Sequence, residues 1–189
     1  MIRFLALHDR RLWLGDLRLQ ALASHATVQA DAVLRRCLYL FAALPRSDGM
    51  VNGCVQERPS PRPGQVMVLD YAALFAVTLQ EYVQATGDLE TGVTLWPVAR
   101  RQVELLLARL DGDALFHDDG ATWCFIDWSQ TLDRDTAMQG VILFAIDRSL
   151  RLAAQHYLRQ LAVEPACRFD VVAIDNGCIE WLPGAFDGG

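Results

Sequence analysis

Three side chains near the start of the sequence could do chemistry together: Asp9, Trp13 and Asp16. Carboxylates accept hydrogen bonds from hydroxyl groups and can give or take protons, and an aromatic plate offers an apolar face to a pyranose ring. The pattern therefore fits a sugar site. It equally fits a solvated helix start in which Trp13 is a core anchor, because short motifs often match by chance.

The elements that position these side chains are predicted to be helices. Gly15 is expected in a turn, and Asp16 is expected to cap the helix that follows. Apolar residues at helical spacing predict further helices, with an irregular proline-containing connection at 51–64 and a short extended run at 123–126. The predicted helices cover about residues 16–25, 30–44, 65–85, 89–110 and 135–161.

Several motifs resemble one enzyme family. The segment Arg10–Asp16 (RRLWLGD) resembles a segment of bacterial α-L-rhamnosidases, glycoside hydrolase family 78. The resemblance covers roughly residues 5–160. Further motifs follow in that family's order: Leu69-Asp70-Tyr71, Tyr82, Thr86-Gly87-Asp88, Leu95-Trp96-Pro97 and Phe125-Ile126-Asp127-Trp128.

The resemblance implies roles for five residues. Asp9 stands where the family has its catalytic general acid, usually a glutamate, so the shorter side chain puts the carboxyl farther from the leaving oxygen. Trp13 matches a tryptophan that lines the sugar pocket, and Asp16 matches an aspartate that binds sugar hydroxyls. Asp127 and Trp128 match a second pair at the pocket wall. The general base belongs to the second half of the family's barrel, so none is assigned.

The resemblance also implies the fold class. We expect an all-α protein of antiparallel helical hairpins that form part of an (α/α)6 barrel, about its first half. Residues 1–164 are expected to be the partial barrel domain. Residues 165–189 are a tail of uncertain structure, whose apolar run 171–174 is either a strand or fails to order.

Composition excludes several other classes. The net charge of −6 argues against a nucleic-acid surface. No apolar run reaches the roughly 18 residues of a membrane span, and the apolar start is too short for a secretory signal, so a cytoplasmic location is expected. Five cysteines without a C-x-x-C pair indicate neither zinc nor a disulfide framework. Metal and cofactor are both expected to be none, since the four histidines lack ligand spacing.

The predicted function is a truncated, inverting α-L-rhamnosidase-like hydrolase, inactive alone, with a rhamnoside as its carbohydrate substrate. Two alternatives stay open: a barrel enzyme for another glycoside, and a non-catalytic helical module that binds a sugar or a protein. Neither nucleic acid nor a membrane is an expected partner. A half-barrel exposes two edges, which favours self-association or a companion fragment. The stripes expected at these edges contain Leu17, Leu19, Leu22, Val141, Phe144 and Leu152.

Overall fold

The computed structural model describes residues 11–126, 129, 131–162, 169–175 and 178–186. The chain forms two compact units, residues 1–156 and residues 157–189. The domain boundary expected between residues 164 and 165 falls outside the described residues, so it stays a prediction.

The described part of the chain is mainly helical, which confirms the coarse fold prediction. None of its helices has both the length and the apolar character needed to cross a bilayer. The helices are α1 (Leu14–Thr27), α2 (Asp31–Ala42), α3 (Leu69–Thr86), α4 (Leu89–Leu107) and α5 (Arg134–Leu158).

A small antiparallel sheet corrects the expectation of an all-α fold. Its strands, in spatial order, are β1 (Leu12–Trp13), β2 (Cys54–Gln56) and β3 (Arg62–Pro63). The connection 51–64 is therefore not wholly irregular. Strands of two or three residues are too short to show a period of two in the sequence, and Pro63 lies on an edge strand, where a missing N–H is tolerated.

Helix α3 is the centre of the first unit. It packs against α1, α2 and α4, and it is buried along nearly its whole length. Its start was predicted too early, at residue 65, because residues 65–68 are not helical and hydrogen-bond to the segment that leads into β2. The carbonyl of Val66 accepts a hydrogen bond from the Gly53 N–H at 2.8 Å, and Val68 is extended. The helix therefore begins only at Leu69.

The turn between α3 and α4 was predicted correctly. Gly87 is left-handed, with φ 72°, and its N–H donates to the Val83 carbonyl at 2.8 Å. Glycine enters this conformation without the steric penalty that a side chain would bring. Asp88 then caps α4, accepting a hydrogen bond from the Thr91 N–H at 3.1 Å.

Helix α4 ends at Leu107, three residues earlier than expected, because its last turn tightens: the Leu110 N–H donates to the Leu107 carbonyl at 3.1 Å.

One buried amide holds a distant loop against α4. The Gln102 amide nitrogen donates to the carbonyls of Gly49, at 3.0 Å, and Val98, at 2.9 Å. Its oxygen accepts from the Val51 N–H at 2.9 Å. The side chain is fully buried, so these bonds replace the water that the loop's peptide groups would otherwise bind.

The predicted edge stripes divide between core and surface. Leu17 and Leu152 are buried, whereas Leu19 is 63% exposed and Leu22 is 42% exposed. Val141 and Phe144 are half-buried. Self-association through these edges stays a prediction.

The second unit contains a β-hairpin. Strands β4 (Phe169–Asp175) and β5 (Cys178–Phe186) pair in antiparallel fashion, and Asp175 lies opposite Cys178. The apolar run at 171–174 lies within β4, which confirms the strand interpretation of that run. In the hairpin, the carboxylate of Asp170 accepts hydrogen bonds from the Trp181 indole at 2.8 Å and the Gly184 N–H at 2.9 Å.

Candidate functional site

Trp13 and Asp16 lie where β1 passes directly into α1. Trp13 pairs with Cys54 and occupies the N-cap position, and the Leu14 N–H donates to the Gly53 carbonyl at 3.0 Å. The helix thus starts two residues earlier than expected, and the prediction that Asp16 caps it is wrong. Asp16 instead lies in the first turn, where the helix dipole favours a negative charge.

Gly15 also differs from its prediction, because it lies inside α1 and not in a turn. It faces the ring of Tyr71 on α3. A Cβ atom added to Gly15 would stand 2.5 Å from Tyr71 Cε1, well inside van der Waals contact. The missing side chain is therefore what allows the start of α1 to approach the start of α3 so closely.

Four aromatic rings continue from this contact, and we call them the aromatic row: Trp13, Tyr71, Phe125 and Trp123. Successive centroids are 6.4, 6.0 and 6.1 Å apart, with interplanar angles of 82°, 75° and 87°. This edge-to-face geometry is the arrangement that ring quadrupoles favour. Tyr71 is buried, Trp13 and Phe125 are half-buried, and Trp123 is 43% exposed, so the row reaches from the core to the surface.

Asp70 joins the aromatic row to α3. It is buried in the first turn of the helix, and its Oδ1 accepts a hydrogen bond from the Phe125 N–H at 2.7 Å. Burial raises the pKa of this carboxyl, and the hydrogen bond from Phe125 opposes the rise. The adjacent Leu69 N–H donates to the Trp123 carbonyl at 2.9 Å. The segment 123–126, predicted to be extended, forms no strand and is held by these two bonds.

The phenol of Tyr71 lies near two negative charges. Burial, and then the charges of Asp16 and Asp70, raise the pKa of Tyr71 to about 12. The phenol therefore stays protonated at physiological pH and can donate a hydrogen bond. The buried phenol of Tyr71 thus lies near the half-buried carboxylate of Asp16, and the Tyr71 ring contacts the half-buried ring of Trp13.

The described thiols are poor nucleophiles. Burial raises the pKa of Cys37 to about 11 and that of Cys124 to about 12. Burial also raises the pKa of Cys54, although the nearby Arg11 guanidinium opposes that change. Cys124 is buried, and Cys37 is half-buried. Within the described ranges no group of three histidine, cysteine or carboxylate side chains could hold a metal ion.

Of the five site residues predicted from the sequence, Trp13 and Asp16 are described, and both lie at the aromatic row. Asp9, Asp127 and Trp128 lie outside the described residues, so their roles stay predictions.

Sequence reasoning missed four residues of this site: Asp70, Tyr71, Trp123 and Phe125. Among them, Asp70 was not predicted to have a role at the site. The signal that could have found it is the motif Leu69-Asp70-Tyr71, which places a carboxyl inside an apolar helix start, where charge is costly without a partner.

Comparison with curated proteins identifies relatives of one name. No family model matches the chain. A UPF0102 protein of Shewanella sediminis is 32% identical over 102 residues, which cover 52% of this chain and 80% of that protein. A UPF0102 protein of Shewanella woodyi is 40% identical over 76 residues, covering 38% and 62%. A UPF0102 protein of Cupriavidus pinatubonensis is 58% identical over 43 residues, covering 23% and 34%. The chain thus spans less than two thirds of the latter two proteins.

Among solved structures, the chain is similar to a rhamnosidase from Klebsiella oxytoca with rhamnose bound. The identity is 44% and the TM-score is 0.76, and the match covers 78% of this chain but only 29% of the rhamnosidase chain. The likeness therefore concerns less than a third of that enzyme.

These findings correct the function inferred from the motifs. The prediction that the chain is a member of glycoside hydrolase family 78 is wrong, because the curated relatives are UPF0102 proteins. The predicted activity, hydrolysis of terminal α-L-rhamnose, is wrong for the same reason, and so are the descriptions hydrolase and glycosidase. A shared stretch of fold does not carry an enzyme's chemistry with it.

Proposed function

Since the chain belongs to the UPF0102 protein family, we propose for it a function that needs no hydrolysis: non-catalytic binding of a neutral carbohydrate at the aromatic row. The observation that carries the proposal is the edge-to-face contact between the rings of Trp13 and Tyr71, with the charge of Asp16 close enough to the Tyr71 phenol to raise its pKa. The same proposal makes a carbohydrate the binding partner of the chain, and it includes neither nucleic acid nor a membrane as a partner.

The chemistry of the aromatic row suits a sugar. A pyranose has one face of C–H groups and a rim of hydroxyls, so it is recognised by an aromatic surface together with hydrogen-bond acceptors. Trp13, the N-cap residue of α1, supplies the surface, and the carboxylate of Asp16 in the first turn of the same helix supplies an acceptor. The protonated phenol of Tyr71 adds a donor. A few placed polar groups on a mainly apolar lining are typical of small-molecule sites.

The likeness to the Klebsiella oxytoca rhamnosidase, which has rhamnose bound, supports the choice of sugar. Rhamnose is a deoxyhexose with a methyl group in place of a hydroxymethyl group. It therefore has more apolar surface to place against aromatic rings than glucose has. We choose L-rhamnose as the first probe for this reason.

We further propose that α1–α4 are an arc of a larger α/α ring. The antiparallel arrangement of α3 and α4 across the Gly87 turn supports this, as does the TM-score of 0.76 against part of the rhamnosidase chain. An arc would leave helix faces for a second copy or a companion chain, which is the self-association proposal in structural terms.

The test is a titration of the 189-residue chain with L-rhamnose, D-glucose and an aryl α-L-rhamnoside. Binding is measured by calorimetry and by tryptophan fluorescence. We expect saturable binding of rhamnose and no release of the aryl group. Replacing Trp13 by Ala should weaken binding about tenfold or more, since an aromatic contact is worth roughly a factor of ten. Trp96→Ala is the matched control, because Trp96 is half-buried on α4 and outside the aromatic row.

Two outcomes would overturn the proposal. One is the absence of saturable binding for every sugar of the panel. The other is binding that Trp13→Ala and Trp96→Ala weaken equally, which would show general destabilisation and no site at Trp13. Release of the aryl group would contradict the non-catalytic part of the proposal alone.

A further inference from the structure

A concave surface lies at the end of α3 opposite the aromatic row. It is an open groove of about 560 Å³ between α2, α3 and the start of α4, and we call it the arginine groove. Its size falls within the range of roughly 300–1,000 Å³ that is usual for small-molecule sites. Its lining consists of Ala32, Arg35, Arg36, Tyr39, Tyr82 and Asp88.

The acidic residue of the arginine groove is already committed to the fold. Asp88 Oδ1 accepts from the Thr91 N–H at 3.1 Å. Its Oδ2 accepts from the Thr91 hydroxyl at 2.7 Å and from the Tyr82 hydroxyl at 2.8 Å. Burial alone would raise the pKa of Asp88, but these hydrogen bonds and the charge of Arg35 together lower it. Asp88 is therefore an ionised helix cap whose oxygens have little acceptor capacity left.

Arg35 consequently has more donors than Asp88 can accept. Its Nε lies 3.6 Å from Asp88 Oδ2, which is an ion-pair distance but too long for a good hydrogen bond. Its guanidinium lies over the ring of Tyr39, 5.7 Å from the centroid, which is a cation–π distance. A guanidinium presents five N–H donors in a fork that matches a carboxylate or a phosphate. Arg35 therefore brings such a fork to the lining of the groove.

Arg36 does not compete for this role. Arg36 is largely exposed. It forms an ion pair with Glu57, which neutralises its charge beside the groove. It contributes length to the wall, whereas Arg35 contributes the fork of N–H donors.

We propose that the arginine groove binds a small ligand with a terminal oxyanion, a carboxylate or a phosphate, on an apolar or aromatic body. The oxyanion pairs with the Arg35 fork, and the body lies against the part of the Tyr39 ring that the guanidinium leaves uncovered. This site is separate from the aromatic row: Tyr71 and Tyr82 are eleven residues apart on α3, which is about 16 Å along a helix axis. The proposal does not depend on carbohydrate binding at Trp13.

The test uses the full chain and four probes: phenyl phosphate, phenylacetate, inorganic phosphate and neutral benzyl alcohol. Binding of each probe is measured by calorimetry at low salt. We expect phenyl phosphate or phenylacetate to bind, and the difference between them identifies the preferred oxyanion. Benzyl alcohol should not bind, because it has no charge to pair. Inorganic phosphate should bind more weakly than phenyl phosphate, because it has no body to place on Tyr39.

Variants locate the site. Arg35→Gln should weaken binding of the preferred probe about tenfold or more, and Arg35→Lys should restore only part of it, because an ammonium keeps the charge but loses the fork. Arg100→Gln is the matched control: Arg100 is an exposed arginine on α4 that pairs with Glu104. Rhamnose binding should be the same in all three variants, which separates failure of this proposal from failure of the proposed function.

Three results would overturn the inference. They are no binding of either aromatic oxyanion, equal binding of benzyl alcohol, or the same affinity in Arg35→Gln as in the wild type. Far-UV circular dichroism of each variant checks that it is folded. If Arg35→Gln proves unfolded, Tyr39→Leu replaces it, and unchanged affinity for phenyl phosphate in Tyr39→Leu would equally contradict the site.

Discussion

A tyrosine stands near each end of α3, and their surroundings differ. Burial is the main cause that raises the pKa of both Tyr71 and Tyr82 to about 12. At the first end, Tyr71 touches residues far away in the sequence, such as Trp13 and Phe125. At the other end, the Tyr82 hydroxyl donates to Asp88, only six residues on. One end is assembled by tertiary packing, and the other mainly by local hydrogen bonds.

This difference decides what each end tolerates. At the Tyr71 end, shape is limiting, because Gly15 leaves no space between α1 and the ring. At the Tyr82 end, hydrogen bonding is limiting, because Asp88 accepts three bonds from two side chains and one peptide group. We therefore expect volume changes to matter most at the first end and polarity changes to matter most at the second.

The largest effect is expected for Gly15→Ala. In a helix interior, alanine is normally more stable than glycine by about 0.5–1 kcal/mol. Here the new methyl group would collide with Tyr71, and overpacking typically costs about 1–3 kcal/mol. We expect a net loss of stability, measured as a lower urea midpoint, together with weaker sugar binding.

The matched control is Gly140→Ala on α5, where an added Cβ meets nothing within 4 Å. This variant should gain stability from the ordinary helix preference. If both variants move the urea midpoint in the same direction by the same amount, then the contact between Gly15 and Tyr71 does not limit the packing of α1.

The next effect is expected for Asp88→Ala, which removes a helix cap and leaves the Tyr82 hydroxyl without its acceptor. Loss of an N-cap costs about 0.5–2 kcal/mol. A matched variant is Asp133→Ala, because Asp133 binds the N–H and hydroxyl of Thr136 in the same way at the start of α5 but is exposed. We expect the smaller loss for Asp133, in chemical denaturation at neutral pH. Equal losses would mean that Tyr82 adds nothing to the cap.

A smaller difference should separate the two tyrosines. Tyr82→Phe loses one hydrogen bond, worth about 0.5–1.5 kcal/mol. Tyr71→Phe should cost less, because among the described residues the Tyr71 hydroxyl makes no hydrogen bond and only lies near two carboxylates. Urea denaturation of both variants tests the order, and a greater loss for Tyr71→Phe would contradict the contrast between the two ends.

The smallest effect is a difference in pH dependence. Burial raises the folded-state pKa of Asp70, so its contribution to stability is present below the unfolded pKa, about 3.9, and is lost as pH rises through the folded pKa. The folded-state pKa of Asp88 is lowered, so its contribution is present above the unfolded pKa and is lost as pH falls through the folded pKa. The two carboxyls thus act in opposite directions.

Urea midpoints measured between pH 3 and pH 7 check these signs. Relative to the wild type, Asp70→Asn should gain stability as pH rises, and Asp88→Asn should lose it. Curves that shift in the same direction for both variants would contradict the assigned environments.

The two ends also explain what could be predicted from the sequence. The break between α3 and α4 was predicted correctly, because Thr86-Gly87-Asp88 contains a glycine that can end a helix in the left-handed conformation. The cap that Asp88 provides for α4 was not predicted. The aromatic row was not predicted either, because the bond from the Phe125 N–H to Asp70 joins residues 55 positions apart. The sheet was missed for the same reason, since it pairs Trp13 with Cys54, a residue far away in the sequence.

The incorrect family prediction has a related cause. The motif Thr86-Gly87-Asp88 closes and caps helices in this fold, so its chemistry is structural. Motifs of this kind report which elements are joined, and they do not by themselves report a reaction. The likeness to part of a rhamnosidase chain and the family of the curated relatives are therefore separate findings.

Gln102 has a consequence for how this molecule can change during evolution. Its amide contacts the loop through peptide atoms alone, the carbonyl of Gly49 and the N–H of Val51. Glutamate would keep the acceptor and lose the donor, and methionine would lose both, so no side chain of similar size can substitute. Selection at residue 102 is therefore coupled to the path of the loop through its peptide groups. The loop's own side chains are restricted by other contacts, since Gly49 has a φ of 89° and Val51 is fully buried.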